Sequence, residues 1–141
     1  MTTQSHAETF VHAVEVVVGA GPDDPAALFT EDVHSWSPVL NASSLAELSD
    51  AIHDRDESLS NVTVAVRSLH SGGNRVMAEW RLDADHTGPF IVSEDLTVPA
   101  TGRHIHIGGA TFADFRGDKI SAFRSYFDEM ALMEQLMGAD D

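Results

Sequence analysis

The sequence predicts an α+β fold, with N-terminal helices packed on a strongly curved, mainly antiparallel sheet around an internal pocket, and a C-terminal helix closing the mouth. Two observations carry this. Apolar residues step by three and four up to Arg55 and again after Glu129, while between these points they alternate with period two. The alternating stretches are joined by short Gly-rich turns, which makes neighbouring strands antiparallel.

From Gln4 to Val18 the residues Ala7, Phe10, Val11, Val14, Val17 and Val18 form one apolar face of a helix, ended by Gly19-Ala20-Gly21-Pro22. Asp24-Pro25 is a cap followed by proline at the first helical position and opens a short helix through Phe29. Val33 to Trp36 reads as a short strand broken by Pro38. Ser44-Leu45-Ala46-Glu47 has capping-box spacing ahead of a third helix that ends near Arg55. Val62, Val64 and Val66 then alternate, Ser71-Gly72-Gly73-Asn74 turns the chain, and Val76, Ala78, Trp80 and Leu82 return as the second arm of a hairpin. Asp85 to Arg103, with two prolines and two glycines, is expected to be a long irregular connection with a short strand at Phe90 to Val92. His104 to Phe115 and Ile120 to Phe127 form a second hairpin across Arg116-Gly117-Asp118-Lys119, and the last helix spans about Glu129 to Met137.

A length of 141 residues suits one domain, 1–141, with a real core. No apolar run approaches the roughly 20 residues that cross a bilayer. Met1 to Glu8 lack a basic-then-apolar order, so no secretory signal and a cytoplasmic address are expected. With no cysteine, thiolate metal sites and thiol nucleophiles are excluded. A net charge of −15, from 23 acidic against 8 basic residues, disfavours nucleic acid and anionic membrane as partners. A small-molecule ligand in the pocket is the remaining expectation.

Asp128 stands where a strand stops and a helix starts, beside apolar residues able to desolvate a carboxylate and make it a stronger base. It is a candidate general base, and equally a candidate N-cap for the last helix. Alternation puts Arg124, Tyr126 and Asp128 on one strand face and Phe123 and Phe127 on the other. Arg81 and Asp83 share a face of the preceding hairpin, either as part of a site or as a solvated strand face. Trp36, Trp80 and Phe112 are candidates for pocket lining or for ordinary core. His104 and His106 have a spacing that binds metal when a third ligand is near, but no residue completes the set, so no metal site is expected. Met130, Met133 and Met137 fit a packing face or a lid.

The segments His86-Thr87-Gly88-Pro89, Ala100-Thr101-Gly102-Arg103, Gly117-Asp118-Lys119-Ile120, and Tyr126-Phe127-Asp128 through Gln135-Leu136, in this order behind N-terminal helices, resemble the SnoaL-like polyketide cyclases of the nuclear-transport-factor-like superfamily. The resemblance covers nearly the whole chain. It implies a cone-shaped fold, a homodimer, no metal or organic cofactor, and an intramolecular aldol type of cyclisation of a small apolar oxygenated substrate with Asp128 as base. It also implies that His86 hydrogen-bonds a substrate carbonyl; His34, Trp36, Trp80, Phe112, Arg124 and Tyr126 are further candidate substrate-binding residues on the sequence itself. Arg81-Leu82-Asp83, Thr101-Gly102-Arg103 and Arg124 to Asp128 are also similar to limonene-epoxide hydrolase, which implies a triad of Asp83 and Asp128 bridged by Arg81. A non-catalytic small-molecule-binding or dimerisation module is the third reading, because one fold hosts many functions.

Overall fold

The computed structural model of the chain describes residues 5–55 and 58–137. Its elements run α1 (His6–Val17), α2 (Pro25–Leu28), β1 (Phe29–Ser37), β2 (Leu40–Ala42), α3 (Leu45–Arg55), β3 (Leu59–Gly72), β4 (Arg75–His86), β5 (Phe90–Ser93), β6 (Leu96–Val98), β7 (His104–Arg116), β8 (Lys119–Phe127) and α4 (Glu129–Met137). Six strands form one sheet in the order β2-β1-β8-β7-β4-β3, in which β1 and β8 are parallel and the other pairs antiparallel. The α+β class and the helices laid on a mostly antiparallel sheet are as the sequence predicts.

Local chemistry starts the first three helices. In α1, Ser5 Oγ accepts from Glu8 N at 3.1 Å and Glu8 Oε1 accepts from Ser5 N at 3.0 Å, a closed capping box. Asp24 caps α2 by accepting from Ala26 N at 3.0 Å, with Pro25 in the first turn, where its missing N–H has no intrahelical partner to lose. At α3, Ser44 Oγ accepts from Glu47 N at 3.1 Å and Glu47 reaches back to Ser43 N at 2.7 Å.

The helices cover one face of the sheet, here the inner face. Phe10 of α1, Phe29 and Val33 of β1, Ile105 of β7, Ile120 and Phe123 of β8 and Leu136 of α4 are fully buried there. Phe29 meets Phe123 edge-on at 5.4 Å and Phe10 lies 6.3 Å from the same ring. Burying each of these rings contributes roughly 1.5–3 kcal/mol, enough to fix the first helix and first strand onto the last strand.

Several boundaries depart from the sequence reading, each for a physical reason. β3 runs for 14 residues because two irregularities in its register with β4, at Ser60/Thr63 and Arg67/His70, bend it along the sheet; Asn61 and Ser68 there both have φ of 52°. β1 starts at Phe29, which the sequence reading gave to the second helix, because the Phe29 ring is needed against Phe123. β2, unseen in the sequence, forms when the chain turns past Pro38 and pairs back with Ser35 opposite Ala42. The connection expected to be largely irregular contains a two-stranded ribbon, β5 with β6, closed by Phe90 opposite Val98. Its ends are tied to the sheet by His86 N to Arg103 O at 2.8 Å and Gly102 N to His86 O at 2.7 Å.

α4 packs through Leu132 and Leu136, while Met130 and Met137 of the expected methionine row are exposed. The pairing of β8 with β7 extends only to Phe127 opposite Gly109, so the β7 backbone beyond that point lacks a strand neighbour on this side. Gln135 takes that place: His106 N donates to Gln135 Oε1 at 2.7 Å and Gln135 Nε2 donates to His106 O at 3.0 Å. A side-chain amide thus stands in for one strand residue and holds α4 in position. Gln135→Ala is expected to lower stability by roughly 1 kcal/mol in urea unfolding and to speed amide exchange at His106. An unchanged exchange rate at His106 would show that another contact closes this edge.

Candidate functional site: an apolar cavity under the sheet

A cavity of about 130 Å³ lies between the inner face and the helices. Trp80 and Leu82 of β4, Ile105 and Ile107 of β7, and Ser125 and Phe127 of β8 form its sheet wall. Val17 and Val18 at the end of α1, Ile52 of α3 and Leu132 of α4 face them, with Ser37, Val39, Leu40, Ser58, Leu59 and Phe90 around the remainder. An apolar cavity of about 150 Å³ is known to stay dry and bind benzene, so this one is the size of a single ring. Among the described residues that line it there is no Asp, Glu, His, Lys, Arg or Tyr.

Trp80 organises the polar part of the wall. Its Nε1 donates to Thr111 Oγ1 at 2.8 Å, and Thr111 Oγ1 lies 2.7 Å from Ser125 Oγ. Ser125 and Thr111 are direct cross-strand partners, as are Trp80 and Gly109. A Cβ at Gly109 would come within 2.5 Å of the Trp80 ring and 2.7 Å of Tyr126 O, so the indole occupies space that a glycine leaves open. Phe127 meets the indole edge-on at 6.2 Å. Ser125, Thr111 and Gly109 were not among the residues singled out from the sequence. Their signal is parity: Ser125 alternates in phase with Phe123 and Phe127, and Gly109 and Thr111 with Ile105 and Ile107.

Of the site residues expected from the sequence, Trp80 alone lines this cavity. Asp128 is exposed, and its Oδ1 accepts from Ala131 N at 3.1 Å, the N-cap geometry for α4. The desolvated carboxylate expected there is absent because β8 turns Phe127 inward and leaves its neighbour at the solvent side of the strand end. Arg81 and Asp83 lie on the outer face, opposite in phase to Trp80 and Leu82. Asp83 bonds to His104 and His106, and Arg81 approaches His106 at 3.4 Å. Among the described residues no hydrogen bond or ion pair joins either of them to Asp128, so the triad implied by the hydrolase resemblance is not assembled.

Arg124, Tyr126, Trp36, Phe112 and His34 share that outer face. Trp36 lies 5.4 Å and Phe112 6.1 Å from the Tyr126 ring, and Arg124 reaches Asp114 at 3.5 Å. Trp36 and Tyr126 are 41% and 46% exposed, which places them on a surface and not in a pocket. His86 is fully buried, but under the β5–β6 excursion: its Nδ1 lies 2.9 Å from Thr101 Oγ1 and its ring meets Phe90 edge-on. Desolvation pushes its pKa down, against a smaller opposing pull from the backbone of Val98 and Gly88. A neutral imidazole therefore pins the excursion to the end of β4.

The outer histidines do not form a metal centre; among the described residues no group of three or more His, Asp or Glu has that geometry. His104 instead places Nε2 3.0 Å from Asp83 and Nδ1 3.2 Å from Asp85, an arrangement best served by an imidazolium donating twice. Asp83 first and Asp85 second raise the His104 pKa above its usual 6.5. Asp83 is held below 3.8 by His106 and then His104, and Asp85 by Asn61 and then His104. The signs follow. The His104 contribution to stability is fully present below pH 6.5 and lost as pH rises through its folded value, and the two aspartates contribute above pH 3.8 and lose it on acidification. An NMR titration is expected to place the His104 midpoint above 6.5, with Asp83→Asn moving it down; a midpoint that Asp83→Asn does not move would rule out Asp83 as the main cause.

The described residues thus form an α+β fold whose helices and curved sheet enclose an apolar, ring-sized cavity. The chain belongs to the SnoaL-like polyketide cyclase family, whose profile matches residues 8–136. Solved structures share the fold. A protein from Jannaschia sp. CCS1 assigned as a SnoaL-like polyketide cyclase is 18% identical with a TM-score of 0.78, over 99% of this chain and 100% of that one. IdmH from Streptomyces antibioticus, assigned as a polyketide cyclase, is 14% identical with a TM-score of 0.73, over 94% and 99%. AclR from Streptomyces galilaeus, assigned as a hydroxylase, is 19% identical with a TM-score of 0.71, over 97% and 85%. At these identities the likeness establishes the fold. No curated protein matches the chain. No helix among the described residues is long and apolar enough to cross a membrane.

Proposed function

We propose that this chain takes a small, neutral, largely apolar oxygenated molecule into the cavity and serves a cyclase-type, cofactor-independent role by holding that molecule in a reactive shape. The observation that carries this is the composition of the wall, whose described residues include no ionisable side chain. Ring closure within one bound molecule then draws on orientation, an effect worth up to about 7–11 kcal/mol in the best intramolecular cases. The α-proton lost as the enolate forms passes to solvent water and a proton returns from water to the new alkoxide as the C–C bond closes, while Asp128 acts as the cap of α4. The cytoplasmic address expected from the sequence accompanies this reading.

Heat-melt measurements with cyclohexanone and with cyclohexanecarboxylate at pH 7 test it. The neutral ring is expected to raise the melting temperature, by the equivalent of about 2.7 kcal/mol at a hundredfold excess over Kd. The carboxylate is expected to leave it unchanged, because the described residues of the wall offer a buried charge no partner. Equal stabilisation by the anion would defeat the reading. Asp128→Asn, which keeps a capping oxygen, is expected to close heptane-2,6-dione to its cyclic aldol product at the parental rate; loss of closure with binding intact would return this carboxylate to the chemistry.

The homodimer implied by the family resemblance is the second part of the proposal. Trp36, Tyr126 and Met77 are large apolar side chains exposed on the outer face, clear of the cavity, and a second copy laid on this face would cover them. Sedimentation at twice the chain mass, falling to the single mass in Tyr126→Glu, is the expected result, and a parent protein that sediments as a monomer removes it.

A further inference from the structure

Among the described residues three hydroxyls reach the cavity wall, from Ser37, Ser58 and Ser125, and they are not equivalent. Ser58 Oγ donates to Pro89 O at 2.7 Å, so its hydrogen is engaged. Ser37 Oγ accepts from Val39 N at 3.2 Å and keeps a rotatable hydrogen. Ser125 ends a chain whose direction can be worked out from its far end. An indole N–H only donates, so Trp80 fixes Thr111 Oγ1 as an acceptor. Thr111 is 1% exposed, and its other side-chain partner among the described residues is Ser125 Oγ. The Thr111 hydrogen therefore lies on the bond to Ser125, since the reverse assignment would bury it without an acceptor. With that bond directed from Thr111 to Ser125, the Ser125 hydrogen has no partner among the described residues of the wall and is free for the cavity. A hydroxyl that already accepts a hydrogen bond is polarised into a stronger donor.

We propose that Ser125 selects the ligand: its Oγ–H, set by Thr111 and Trp80 behind it, donates to a carbonyl oxygen on an otherwise apolar molecule of about one ring. The inference rests on the pocket reading above and adds to it the atom that is recognised. Leu82, Ile107 and Phe127 surround the body of the ligand with apolar surface, so orientation is set by this one directed bond. A molecule of the same shape without the oxygen gains the apolar contacts and leaves the donor unpaired.

Cyclohexanone and methylenecyclohexane differ by an oxygen against a CH2 on one frame, and calorimetric titration of the full chain with both reads the donor directly. The ratio of the ketone affinity to the alkene affinity is expected to fall about three- to tenfold in Ser125→Ala. It is expected to fall by a smaller factor in Thr111→Val, which keeps the shape and removes the bond that sets the hydroxyl. Ser37→Ala is expected to leave the ratio at its parental value. A ratio that stays within about twofold of the parent in Ser125→Ala overturns the proposal, as does a fall produced by Ser37→Ala instead. Binding of methylenecyclohexane with an unmoved ratio would remove the role of Ser125 and leave the pocket reading standing. Failure of the parent to bind either compound would remove both.

Discussion

Strand parity is the constraint on which the site depends. In β4, β7 and β8 beyond Ala122 alternate residues face the helices and the cavity while those between them face outward, so a side chain's chemistry is assigned to one face or the other by its phase; the register shift between Asp114 and Phe115 brings Ile120 inward in the opposite phase. In β8 this sends Phe123, Ser125 and Phe127 inward and Arg124 and Tyr126 outward. A one-residue slip would exchange the two sets and bury a guanidinium and a phenol in the core. The aromatic contacts of Phe123 with Phe10 and Phe29 forbid that slip, and so the first helix and strand fix which chemistry the last strand presents to the cavity.

A wall whose described residues carry no ionisable group changes what the protein can do for a ligand. An acid or base in such a site works by being desolvated and would have to be kept charged or neutral by its neighbours. Here nothing of that kind is arranged among the described lining residues, and the polar content of the sheet wall is a short chain of neutral groups, indole to hydroxyl to hydroxyl. Such a chain is cheap to bury, because each inner group is paired, and it leaves one donor facing inward. Its strength is geometric: Gly109 leaves room for the indole beside β7, from where Nε1 reaches Thr111 and carries the order through to Ser125. A cluster of titratable groups, by contrast, sits on the outer face, where His104, His106, Asp83 and Asp85 meet water and one another.

Much of this architecture was legible in the sequence, and the limits are instructive. The changes of period marked the helices and the long strands, and alternation correctly separated Arg124, Tyr126 and Asp128 from Phe123 and Phe127. What misled was the choice of face. Titratable residues draw attention as the carriers of chemistry, and the cavity follows the apolar phase. Ser125 was visible in that phase, but a serine spaced two from each of two phenylalanines carries no motif, and Thr111 gains its role from the Trp80 indole on the neighbouring strand. Short elements were lost for a different reason. β2 and β6 have three residues each, too few for a period to show, and both form through pairing with a neighbour that local sequence does not announce. Asp128 satisfied two readings at once because the residue type that caps a helix is also the one that serves as a base, and only its exposure separates them.

Family membership and site then pull on different parts of the inference. The fold admits many reactions, and the residues of a particular cavity decide among them. A cavity of this size and neutrality discriminates before any chemistry begins: an anion would lose its hydration without a counter-charge, and a cation would meet the same loss, whatever field the net charge of −15 sets up outside. A neutral ligand is indifferent to that outer field, so the acidic surface neither steers it nor repels it. Selection is left to shape and to one hydrogen bond. That is the arrangement expected of a protein whose ligand is mostly hydrocarbon and carries its own reactive groups, because the wall then has to hold a conformation and mark one oxygen, and needs no charge of its own to do either.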